Sequence, residues 1–331
     1  MKRAAGALFL ALGVATLAAA AAAPGAAEAG KPPAGMAPPD RRLAITVDDL
    51  PCVRCDGGAA AIADLNRRFV AALAAAKAPA IGFVNEAKLQ VDDERDARVA
   101  ILAAWLDAGL TLGNHGFAHR GLTATPLAEC EADLLRGEVV TRALLEARGA
   151  RPEYFRHPYT QTGPTPEIKR AFEGFLGDHG YRVAPFTIED ADYMFDALYS
   201  DALDRGDTSG AAAIRAAGLA HAERMTVWFE GLGRDLLGRE PAQVLLIHLN
   251  RLNADTLPER LRMLQGRGYR FVTLNEALAD PAYALPDAYV GKNGPSWLHR
   301  WAVARGLPSR LKEEPDPPDW VLTAWNARTA R

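Results

Sequence analysis

Short runs of β-branched and apolar residues alternate along this chain with longer Ala/Leu/Arg-rich stretches of helical period, and that alternation restricts the fold more than any single motif. Strands are expected at residues 43–47, 80–84, 110–112, 153–155, 181–184, 244–247 and 270–273. Helices are expected near 59–76, 93–108, 127–148, 166–176, 210–236 and 258–265. A strand–helix–strand repeat builds a parallel sheet that needs helices on both faces. Seven such strands point to an α/β barrel, closed or incomplete. No repeat of the solenoid kind is present.

The chain has 331 residues, 49% hydrophobic and 24% charged, which suffices for one large α/β domain with extensions. A formal charge of −3, with no Lys/Arg block beyond scattered pairs, argues against nucleic acid or an anionic membrane surface as partner. A neutral or weakly charged substrate fits better.

Lys2 and Arg3 precede an Ala/Leu/Val/Gly-rich stretch over residues 4–23, and Ala27-Glu28-Ala29 offers small residues for cleavage. Residues 1–29 therefore read as an export signal. An uncleaved anchor is the alternative, but a stretch made mostly of alanine is weakly apolar for a stable span. No stable membrane insertion is expected after cleavage, and the protein is expected in the periplasm or outside the cell. Residues 30–40, rich in Pro and Gly, form a disordered lead-in. Cys52 and Cys55 form one Cys-x-x-Cys pair, either a local disulfide or two free thiols, and no second pair completes a structural zinc set.

Beyond about residue 280 the alternation stops. Residues 281–331 hold seven prolines and four of the six tryptophans, Trp297, Trp301, Trp320 and Trp325. They read as an appended strap whose aromatics pack on the barrel wall in preference to stacking on a sugar.

Three constellations carry chemistry. Asp48 and Asp49 close the first apolar run, where the carboxyl end of a strand belongs. Adjacent strand side chains point to opposite faces, so both carboxylates look inward only if the chain bends, and Leu50-Pro51 supplies a turn. Two carboxylates so close repel unless a cation neutralises one. That favours Asp49 on a metal and Asp48 free as a base, although the pair alone reads equally as an acidic turn. His115 and His119, four residues apart, share one side of a helical turn, and with Asp49 upstream they form a divalent-metal set that leaves room for water. His248 ends the 244–247 strand. Alone it reads as a hydrogen-bonded core residue; beside activated water it is suited to protonate a leaving amine. A carboxylate partner would hold it charged, and the acidic segment Glu189-Asp190-Ala191-Asp192-Tyr193 can supply one.

Thr46-Val47-Asp48-Asp49, His115-Gly116-Phe117-Ala118-His119, Arg156-His157-Pro158-Tyr159, Glu189-Asp190-Ala191-Asp192-Tyr193 and Leu246-Ile247-His248 resemble, in order, the five motifs of the polysaccharide deacetylases, carbohydrate esterase family four with its NodB-like domain. The resemblance spans about residues 41–280. It implies a distorted barrel of seven strands. It implies Asp48 as catalytic base, and Asp49, His115 and His119 as the triad for zinc, with cobalt or manganese as alternatives. It further implies Arg156 shaping the charge around the base, Tyr159 lending its backbone N–H to the oxyanion, and Asp192 tuning His248 as general acid. Tyr193 stands where the family has Trp and lines the sugar site. Three departures stand out: Leu50-Pro51 replaces a glycine after the aspartates, Gly116 replaces a Ser/Thr, and Glu189 stands where Asp is common. The loss of the hydroxyl beside His115 puts one supporting hydrogen bond in doubt.

The expected activity is release of N-acetyl groups from a glycan. An O-acetyl esterase or non-sugar amidase on the same fold, or a non-catalytic glycan-binding barrel, are the rival expectations.

Overall fold

The computed structural model describes residues 40–330. The export signal over 1–29 and the lead-in up to residue 39 lie outside the described residues. In order the elements are β1 (Arg41–Leu50), α1 (Gly58–Ala75), β2 (Ala80–Val84), α2 (Arg95–Asp107), β3 (Thr111–Asn114), α3 (Leu127–Arg136), α4 (Val139–Glu146), β4 (Tyr154–Phe155) and α5 (Pro166–Asp178). Then follow β5 (Arg182–Val183), α6 (Asp192–Asp204), α7 (Thr208–Leu237), β6 (Gln243–His248), α8 (Arg251–Gly266), β7 (Tyr269–Val272), α9 (Leu274–Leu278), α10 (Trp297–Ala304) and α11 (Asp319–Thr329).

All seven expected strands form, and all pair in parallel in one sheet of order β5-β4-β3-β2-β1-β6, with β7 alongside the start of β1. Past β5 the chain swings back: Ile188 bridges Leu245 in parallel, and the Thr187 and Ile188 N–H groups donate to Val244 O. The sheet thus curls until its far edge meets β6, a distorted barrel closed only over a short stretch. β1 lies at its centre because Leu43, Ala44, Ile45 and Val47 are apolar on both faces, and each is buried. Phe69 and Trp105 stack under the α1–α2 layer at 6.1 Å, and burial of each such side chain contributes about 1.5–3 kcal/mol.

Three expectations need correction. The single helix over 127–148 is two, α3 and α4, separated at Gly137 and Glu138. A Cβ on Gly137 would stand 2.5 Å from Gly116 C and Phe117 N, so the break lets this helical layer press directly on the loop carrying the histidines. Second, α6 was not foreseen, because its buried face mixes Phe195 and Leu198 with Asp192, Asp196 and Ser200 and so blurs the apolar period. Third, α8 begins at Arg251 and carries Pro258 inside it, where a start at Pro258 was expected.

Residues 281–330 form α10 and α11 joined by turns. Trp297 and Trp301 are buried, Trp325 is half-buried, and Trp320 is exposed. Among the described residues no helix is long and apolar enough to cross a membrane.

Candidate metal centre and active site

Parallel register brings the site together. Asp48 lies opposite His248 across β1 and β6, and Asn114 lies opposite Phe155 across β3 and β4. His115 and Arg156 are therefore the next residues out at neighbouring carboxyl strand ends, where such barrels collect reactive side chains. Thr46 and Asp48, two apart in β1, face the same way. The Arg156 guanidinium, itself buried, reaches both: it donates to Thr46 Oγ1 at 2.9 Å and stands 3.5 Å from Asp48 Oδ2.

Asp49 escapes the strand's alternation through a register shift between Val47 and Leu50, with φ +71° at Asp49 itself. A non-glycine residue in that region costs roughly 1–2 kcal/mol. The bend turns the second carboxylate toward the histidine loop, as the pair requires. The Lys88 ammonium stands 2.8 Å from Asp49 Oδ1, a contact that had no signal in the sequence. Burial alone would raise the Asp49 pKa, but Lys88 and the two histidines outweigh it and hold the carboxyl well below the usual range.

His115 to His119 is a loop and not the helical turn expected; φ is +75° at Gly116 and +55° at His119. Convergence of the imidazoles comes from that bend, with ring centroids 4.8 Å apart. Asp133 on α3 pins the loop, its main-chain carbonyl accepting from Phe117 N–H at 3.0 Å and its carboxylate from Ala118 N–H at 3.0 Å. The support doubted for His115 comes from the backbone: its Nδ1 lies 2.7 Å from Arg156 O. A carbonyl only accepts, so Nδ1 carries the proton and Nε2 keeps its lone pair. The departure at residue 116 also has a steric reason, since a Cβ there would sit 2.5 Å from Asp133 Oδ2.

Asp49, His115 and His119 each offer a ligand atom, and these atoms lie within 4.8 Å of one another. Burial depresses the His115 pKa to about 4; burial and the neighbouring His115 depress that of His119 to about 3. Neutral imidazoles beside an ionised carboxylate are the donor set a divalent ion takes, so these residues fit one. Asp48 is not part of the set. Its Oδ2 faces His115 Nε2 at 3.8 Å, and its buried Oδ1 has no hydrogen-bond partner among the described residues. Burial raises the Asp48 pKa, with Arg156 opposing.

Across the cleft, Asp192 at the head of α6 grips His248 twice: its Oδ1 lies 2.6 Å from His248 Nδ1, and its Oδ2 accepts from His248 N–H at 2.8 Å. Asn253 on α8 donates to Asp192 and to the His248 carbonyl, and a buried Arg260–Asp190 ion pair stands behind. Burial would lower the His248 pKa, but Asp192 overrides it and pushes the imidazole up to about 10. The expected carboxylate partner of His248 is thus in contact, and Asn253 and Arg260 complete a network that sequence reasoning missed.

These groups line a cleft of about 500 Å³, the size of a small-molecule site. Tyr159, 61% exposed, and Tyr193, 42% exposed, stand at its rim. Tyr159 packs edge-on against His119 at 4.4 Å, and Tyr193 does so against Trp325 at 5.6 Å. Gly294, from the C-terminal strap, is also in the wall. Asp48, Asp49, His115, His119, Tyr159, Tyr193 and His248 line this cleft, with Arg156 and Asp192 directly behind it.

Residues 35–183 match the family model described as polysaccharide deacetylase, which takes in the first three motifs. No curated protein matches the chain. Among solved structures the chain is similar to the polysaccharide deacetylase Bc1974 from Bacillus cereus, at 17% identity and a TM-score of 0.50 over 70% of this chain and 91% of that one. It is also similar to the peptidoglycan deacetylase PdaC from Bacillus subtilis, at 19% identity and a TM-score of 0.47 over 74% and 94%. A further neighbour is BA3943, a CE4 family pseudoenzyme from Bacillus anthracis, at 14% identity and a TM-score of 0.48 over 73% and 66%. At these identities the likeness is one of fold. The matched segment and the curled parallel sheet that carries it agree: residues 35–183 of this chain match the polysaccharide deacetylase family, and the sheet has the fold of a solved polysaccharide deacetylase.

Proposed function

We propose that the protein is an exported, divalent-metal-dependent hydrolase that removes N-acetyl groups from a glycan. The observation that carries this reading is the separation of roles around one cleft: a neutral-imidazole and carboxylate triad, a buried carboxylate beside it with one open oxygen, and a charged imidazole opposite. Asp49, His115 and His119 would hold the ion, most readily zinc, with cobalt or manganese also suited to this donor set. When bound, such an ion supplies Lewis-acid chemistry toward water and an acyl carbonyl.

The chain's own residues do the rest. Asp48 takes the proton of the attacking water on its open Oδ1, and Arg156 keeps that carboxylate oriented and its charge balanced. Tyr159 N–H, which has no acceptor among the described residues, donates to the developing oxyanion. His248 Nε2–H then protonates the departing nitrogen, while Asp192 retains the positive charge until that moment. Tyr193 and the Tyr159 ring flank the sugar. An amide suits this arrangement better than an ester, because an amine leaves only when protonated and His248 is held charged.

Export rests on the Lys2-Arg3 start, the alanine-rich run and the small residues before residue 30, and the Cys52–Cys55 disulfide is in keeping with an oxidising compartment. The test is a panel of N- and O-acetylated glycans scored for acetate, with zinc, cobalt or manganese added or a chelator present. N-linked acetate released only with metal supports the proposal; release unaffected by chelation, or from O-linked groups alone, overturns it.

A further inference from the structure

Tyr159 and Thr160 are consecutive non-glycine residues in the left-handed region, φ +55° and +53°. L side chains are disfavoured there, so the corner persists only if its surroundings impose it. The surroundings that impose it come from residues 287–300, outside the segment matched by the family model. The Thr160 hydroxyl donates to Gly294 O at 2.6 Å. Arg300, with no exposed surface, donates to Thr160 O at 2.9 Å and to Thr162 Oγ1 at 2.8 Å, and it is anchored on Asp287 Oδ2 at 3.0 Å. Its guanidinium lies 3.9 Å over the Trp297 ring, and Gln161 Nε2–H donates to Lys292 O at 2.8 Å. The fit at residue 294 admits only glycine: a Cβ there would overlap Thr160 Oγ1 and Tyr159 O.

We infer that Gly294 and Arg300 are positioning residues for the reaction: the C-terminal strap holds the Tyr159–Thr160 corner in its left-handed form and so aims the Tyr159 N–H into the cleft. This rests on the deacetylase reading for its catalytic half. The other half, that the strap imposes the corner, stands on the contacts alone. Arg300 is anchored within the strap on Pro295 O and Asp287 and reaches out to Thr160 O and Thr162 Oγ1, so its effect falls on the loop that joins His119's aromatic neighbour to the cleft.

The experiment uses the full-length, zinc-loaded protein with Gly294→Ala and Arg300→Lys, the latter keeping charge but losing the fork that spans Thr160 O and Thr162 Oγ1. Amide exchange over residues 158–162, zinc binding by calorimetry, and kcat and KM on N-acetylglucosamine oligomers are measured. Exchange is expected to rise about tenfold or more. With it, kcat should fall about 10²-fold, the scale of losing one oxyanion donor, while KM and zinc affinity stay within about threefold. A merely structural role would lower stability and zinc affinity together with kcat, and that pattern overturns the inference. So does a folded variant whose kcat stays within about threefold of wild type. Where Gly294→Ala fails to fold, Thr160→Val, which deletes the hydroxyl contacts to Gly294 O and to Tyr159 O, takes its place under the same criteria. A wild-type protein that releases no acetate refutes the deacetylase reading instead, and amide exchange alone then judges the strap: unchanged exchange sinks it.

Discussion

Asp192 and His248 show how much one residue pair decides. His248 has a folded pKa of about 10, above its ordinary 6.5, so the pair's contribution to stability is complete below about pH 6.5 and is lost as pH rises through 10. The wild type is therefore expected to lose melting temperature between pH 7 and pH 10, and Asp192→Asn to abolish that fall. The same change should bring the alkaline limb of kcat down toward pH 6.5, measured as a pH–rate profile. Asp48→Asn should leave folding intact and lower kcat by about 10²-fold to 10⁴-fold, the range for general acid–base catalysis, read by acetate release. Gly116→Ser, which restores the hydroxyl common in the family, should weaken zinc binding in calorimetry, because φ +75° and the nearby Asp133 carboxylate both reject a side chain. At this scale the sequence was legible where chemistry names the residue. Asp49, His115 and His119 were readable as a set because few residue types ligate metals. Lys88, Asn253 and Gly294 were not, since a lysine, an asparagine and a glycine carry no sign of which distant group they will meet.

Secondary elements were legible where burial is uniform. β1, β2 and β6 could be read because parallel strands covered on both faces are apolar almost throughout, and β5 and β7, where Arg182 and Arg270 are exposed, from their β-branched and aromatic residues. Helices were harder, and α6 shows why: a helix that delivers Asp192 to the site and buries Asp196 and Ser200 sacrifices the apolar stripe by which helices are recognised. The break between α3 and α4 was invisible for another reason. Gly137 sits in a helical composition, and only the approach of Gly116 and Phe117 to within 2.5 Å of where its Cβ would lie explains it. Gly137→Ala is expected to destabilise by roughly 1–3 kcal/mol, as overpacking does, despite alanine's better helix propensity. Thermal or urea unfolding would register the loss, and reduced zinc affinity would show that the strain passes to the histidine loop.

For the molecule as a whole, the strap is tied to the barrel at many points, Ser296 on Thr187 O, Arg310 on Asp235 and Arg328 on Asp201 among them, and two of the ties bear on the cleft. One is the Gly294–Arg300 contact with the Tyr159 corner. The other is a carboxyl pair, in which burial and the proximity of Glu189 push Glu314 up to about 8, so that its proton bonds the two side chains. Glu314 has a folded pKa above its ordinary 4.5, so this tie is complete below about pH 4.5 and is lost as pH rises through 8. Amide exchange over residues 311–317 should accordingly accelerate between pH 5 and pH 8 after correction for intrinsic rates, and Glu314→Gln should flatten that response. The strap's role had no trace in its composition, since prolines and tryptophans announce packing but not its target. Thr160 and Gly294 are separated by 134 positions. On a ribosome, all five motifs emerge long before the segment that braces the third of them, so a nascent or clipped polypeptide ending near Leu278 would carry every signature of the family and still lack a finished catalytic loop.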